Sequence, residues 1–287
     1  MNYVLDGLRT EFPSAFGALA RVRVAPLKRE SPFWAFLSAN GAALVVSGIL
    51  HLALLATPRS VTDPVIRWPF GATLASMITF VASMVAGAVL VRAGGMRAIP
   101  LYIGFALLQA LVSLPSFLLF CGRAGGDGAC NAVIYIAAGR APEWLGAAVG
   151  ILAGLRLGQA MGDGTNLTLR GAGAFGVTQF ALLVPVSYIS QSLADQQLQV
   201  ALFLIAYSLA GVTAGLVLRD ARSAAALLVA LVVVAPTLGL SLPLLRNGLP
   251  NEPIEMTFTR FVGLLAPALG GVSLLGARFL ARRRRTV

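Results

Sequence analysis

Residues 142–162 read PEWLGAAVGILAGLRLGQAMG, with glycine at Gly146, Gly150, Gly154, Gly158 and Gly162. Residues four apart lie on one face of an α-helix, so these glycines form a groove without side chains. At 1.5 Å per residue the groove runs about 24 Å, most of the hydrocarbon depth of a bilayer. In water each glycine costs a helix about 1 kcal/mol relative to alanine. In lipid an unpaired backbone group costs more, so the helix persists and the groove invites another helix to pack backbone to backbone. Gly146, Gly150, Gly154 and Gly158 are therefore the candidate packing ridge.

The rest of the chain fits the same solvent. Of 287 residues, 57% are apolar and 11% charged, about half the charged fraction of a soluble domain. Eight apolar runs, each near the ~20 residues a bilayer crossing needs, fall at about 33–56, 70–92, 98–120, 142–162, 171–193, 197–218, 222–244 and 261–281. The expected fold is all-α: an integral membrane bundle of eight transmembrane helices over 33–281, arranged as four helical hairpins with small-residue ridges. Residues 1–32 are read as a cytoplasmic segment with an amphipathic, interfacial helix, and 282–287 as a basic cytoplasmic tail.

Charge orients the bundle. With the N-terminus inside, 16 of the 22 basic residues fall on inner segments and 6 on outer loops. By the positive-inside rule both termini are cytoplasmic, as an even number of spans requires. Trp34, Trp68 and Trp144 each fall at a span end, where aromatic belts lie. The expected location is a bacterial-type inner membrane. Repetition is visible too: Arg92, Arg156, Arg219 and Arg282 close the even helices at near-equal intervals, and Gln109 then Pro115 in the third helix resembles Gln179 then Pro185 in the fifth.

The net charge of +11 is distributed at the ends of apolar runs, which points to the lipid bilayer as partner and not to nucleic acid. Further partners on this reading are other membrane subunits or a second copy of the chain. Cys121 and Cys130, in the glycine-rich stretch CGRAGGDGAC, are read as a disulfide in an outer loop; the ring would contribute about 2–3 kcal/mol through loop-closure entropy. His51 is the one histidine, so neither a bis-histidine haem nor a multi-histidine metal site is expected. All eleven acids lie outside the span centres. That argues against proton-coupled carriers and against a carboxylate pair for catalysis. Glu143, after Pro142, reads as a first-turn cap of the fourth helix. No catalytic residue, metal ligand or cofactor motif is expected.

The polar residues at depth are Asn40, Gln109, Gln179, Ser187, Tyr188 and Tyr207, and Pro115, Pro185, Pro236 and Pro267 interrupt four spans. Each proline frees a carbonyl one turn earlier. Asn40, Gln109, Gln179, Ser187 and Tyr188 are the candidate solute path, in which buried amides and freed carbonyls line a route for an uncharged or weakly polar solute. Three classes follow in descending order: a permease-like subunit, a non-catalytic membrane scaffold binding partner helices, and an intramembrane enzyme.

Overall fold

The computed structural model describes residues 30–55, 67–123, 132–157, 163–192, 196–246 and 254–284. Among them the chain is all-α. Eight α-helices follow one another: α1 (Pro32–Leu55), α2 (Arg67–Gly94), α3 (Ile99–Arg123), α4 (Ala132–Leu157), α5 (Asp163–Ser192), α6 (Gln196–Val217), α7 (Ser223–Arg246) and α8 (Ile254–Arg283). Four stretches of the described residues are long and apolar enough to cross a bilayer: Pro32–Leu50, Ser76–Val112, Leu167–Val186 and Gln197–Asp220. The segment 1–29 and Cys130 lie outside the described residues, and of Cys121 only its helical backbone is described.

Several helices begin earlier than hydropathy suggests. α4 starts at Ala132, so Pro142 lies inside it and not at its first turn. Glu143 accordingly does not cap the helix; it pairs with Arg140 at 2.6 Å, one turn back on the same face. α5 and α8 likewise extend past their apolar runs, and Arg260 becomes helical. Hydropathy marks the part of a helix that matches lipid, whereas backbone hydrogen bonding continues beyond it.

Three parallel pairs of helices carry the packing. α2 lies against α4, α6 against α8, and α1 against α5. Each is a glycine contact. A Cβ added to Gly150 would stand 2.9 Å from the Met84 Cα, and one added to Gly154 would stand 2.9 Å from the Ala88 Cα. The Gly146, Gly150 and Gly154 ridge is therefore covered from within the chain by α2; Gly158 lies outside the described residues. Gly211 meets the Gly270 carbonyl on α8 in the same way. The buried core is correspondingly small-residue rich, with Ala86, Ala172, Ala210 and Ala214 all fully covered.

Glycine contacts recur between alternate helices, while sequential helices also pack, α1 on α2 and α5 on α6. Gly87 of α2 faces Ala147 and Ile151 of α4; Gly211 of α6 faces Gly270 and Leu274 of α8. A single 3-10 turn follows α2 (Gly95–Ala98) and another follows α6 (Leu218–Asp220). Gly95, at φ 66°, ends α2 in the left-handed conformation that glycine adopts without penalty. α1 and α5 meet where Gly41 faces Leu169 and Gly173 faces Leu37. The third and fifth helices, which the glutamine–proline spacing pairs, hold different places: α5 packs on α1 and α6, α3 chiefly on α4.

Candidate functional site

Two polar features sit on α5, one on each side of the α1–α5 crossing. The first is a cleft of about 450 Å³ lined by Gly176, Gln179, Phe180, Leu183 and Val184 of α5 with Phe203 of α6. Its lining is mostly apolar, and that volume is in the range of small-molecule pockets. Gln179 supplies the polar group: its Nε2 donates to the Tyr207 Oη at 2.9 Å. Tyr207 is held in turn by Phe175, with ring centroids 6.3 Å apart, and Phe175 is fully buried against Gly270. Below, the Thr213 hydroxyl lies 3.1 Å from the Thr178 hydroxyl, continuing a polar seam between α5 and α6. On the other flank Phe180 packs edge-on against Phe105, and Phe105 against Phe36. Gly176 leaves space at the cleft wall, where an added Cβ would meet only the Leu44 Cδ2 at 3.9 Å.

The structure brings one of the candidate path residues to this cleft. Gln179 lines it. Asn40 does not: its Nδ2 donates to the Phe36 carbonyl in its own helix at 2.9 Å, the local bond a polar residue makes in a helix when no cross-helix partner is in place. Gln109 sits half-buried on α3 and is not among the described lining of the cleft. Ser187 and Tyr188 continue α5 beyond Val184, and their side chains lie outside the described residues. Tyr207, read as a polar residue at depth, proves to be the hydrogen-bond partner that orients Gln179.

The second feature closes the opposite end of the α1–α5 pair. Arg170 donates to Glu30 at 2.5 Å across 140 residues of sequence. The Ser38 hydroxyl lies 3.5 Å from the other Glu30 oxygen, and the Glu30 amide donates to the Ala93 carbonyl at 3.1 Å. The Arg170 guanidinium also stacks 5.3 Å from the Trp34 ring centre. Sequence reasoning missed this cluster. The available signal was an acid just before the first span and an arginine at the start of the fifth, which parallel topology puts at one depth.

Among the described residues no group of three or more His, Cys, Asp or Glu converges on one point. Compared with protein-family models, curated proteins and solved structures, the chain matches none. Function therefore has to be argued from the geometry of these two features.

Proposed function

We propose that this chain is a multi-pass membrane permease of eight spans that binds a small uncharged or weakly polar solute in the Gln179–Tyr207 cleft. Both termini are cytoplasmic on this reading, and the membrane is a bacterial-type inner membrane. The observation that carries it is the cleft itself: an apolar-walled space with one amide, that of Gln179, oriented by the Tyr207 hydroxyl behind it, between helices long and apolar enough to span lipid. A side-chain amide can both donate and accept, so it suits a neutral polar solute better than an ion. Along α5 from the cleft lie the Gly41–Gly173 crossing and the Glu30–Arg170 pair, and on this reading they form the cytoplasmic seal.

The test is flux. Purified protein is reconstituted into liposomes, and swelling is followed by light scattering with glycerol, urea and xylitol as neutral solutes. Permeation above protein-free vesicles, reduced several-fold by Gln179→Leu in a variant that keeps its thermal stability, supports the reading. Equal rates in protein-containing and empty vesicles for all three solutes count against it. Reporter fusions at both termini check the orientation; a periplasmic signal from either end overturns it.

A further inference from the structure

The far end of α8 carries a buried cation that the solute cleft does not use. Arg278 is only 8% exposed. One terminal nitrogen donates to the Ala221 carbonyl, and among the described residues its buried Nε has no partner. One turn on, an Arg282 terminal nitrogen stands 3.4 Å from the same carbonyl. Two guanidinium groups thus converge on a single neutral acceptor. At i and i+4 they repel one another, and a carbonyl dipole offsets only part of a buried charge. The nearby carboxylate, Asp220, lies 3.5 Å from Arg219 and is half exposed. Buried charges are otherwise paired, so among the described residues Arg278 and Arg282 share a neutral acceptor where an anion would be expected.

What surrounds the pair indicates which anion. Ala221 is extended and turns the chain from α6 into α7. α7 starts at Ser223, two residues on from Ala221, so its first turn, the positive end of that helix, follows directly in the chain on the carbonyl the two arginines share. Arg222 adds an exposed cation beside them. Amides at a helix start with two forked guanidinium groups match the oxygens of a tetrahedral phosphate. Phe279 and Leu280, on the same stretch of α8, are exposed and apolar, as a surface for acyl chains would be.

We propose that Arg278, Arg282 and the first turn of α7 bind one phosphate group, carried by an anionic phospholipid headgroup of the inner leaflet or present as free phosphate. The site stands apart from the solute cleft and does not depend on flux through it.

The experiment compares the protein in nanodiscs of phosphatidylcholine, in the same discs with phosphatidylglycerol, and in phosphatidylcholine discs with inorganic phosphate added. The readout is the melting temperature, followed by tryptophan fluorescence. A lipid-borne ligand predicts a rise with phosphatidylglycerol and none with inorganic phosphate; a free phosphate predicts the reverse. In either case Arg282→Gln removes at least half of the rise, while Arg156→Gln, which alters net charge equally elsewhere, leaves it intact. Arg282 is exposed, so its substitution spares the fold; Arg278→Lys, which keeps the charge but loses the fork, lowers the rise further. No rise with either additive, or an equal loss in the Arg156 variant, overturns the site.

Discussion

Gly41 and Gly173 lie backbone to backbone, each facing the carbonyl one turn earlier on the other's helix: Gly41 that of Leu169, Gly173 that of Leu37. The reciprocity marks the α1–α5 crossing. It also leaves no room for a side chain, since a Cβ on Gly41 would stand 2.6 Å from the Leu169 carbonyl carbon and one on Gly173 would stand 2.7 Å from that of Leu37. Alanine returns about 1 kcal/mol of helix propensity, while overpacking against a rigid backbone costs about 1–3 kcal/mol. Gly41→Ala and Gly173→Ala should each lower thermal stability in detergent. Because one methyl already parts the helices, the double variant should lose less than the sum of the two.

The ridge on α4 makes a second prediction by contrast. Gly150→Leu meets the Met84 backbone and should give an unfolded or aggregated chain. Gly104→Ala and Gly276→Ala meet nothing within 4 Å. They should be neutral or stabilise by up to about 1 kcal/mol. Thermal melts of the three variants read the difference. A folded Gly150→Leu chain that had lost a partner protein would instead place the ridge on the outside.

Glu30 and Arg170 join α5 to the start of α1. Removing one partner takes the opposite charge from the other in a largely buried setting, so Glu30→Gln and Arg170→Gln should each destabilise by about 2 kcal/mol. The double variant should recover part of the loss, with a coupling of about 1–3 kcal/mol in a double-mutant cycle. Additive losses would show that the two side chains do not act as a pair.

Tyr207→Phe removes the acceptor for the Gln179 amide. The stability cost should be about 1 kcal/mol. Solute affinity should fall more than stability, since the amide loses its orientation in the cleft. Flux measured against thermal stability for Tyr207→Phe and Gln179→Leu separates the two effects; matched losses in both would make the bond a packing contact only.

Much of the helical frame was legible in the chain. Each apolar run falls on a described helix, and four stretches are long and apolar enough to cross a bilayer, because a segment that must satisfy its backbone in lipid advertises itself by local composition. Their ends were less legible: Pro142 looked like a helix start and lies within α4, since proline in a membrane helix is tolerated when neighbours fill the gap. Of the candidate path, Gln179 reached the cleft, whereas Asn40 turned to its own helix. An amide's residue type is the same in both cases; the neighbouring helix decides which bond it makes.

Residue order by itself determined that this chain is helical and apolar, and that one face of α4 is bare of side chains from Gly146 to Gly154, because period and hydrophobicity are properties of a single segment. Only the tertiary structure decided that α2 covers that face, that Gly41 meets Gly173, and that Arg170 finds Glu30. Those contacts join residues far apart in the chain. Their energy appears only once two helices lie at van der Waals distance, and no periodicity within either helix encodes which partner arrives there.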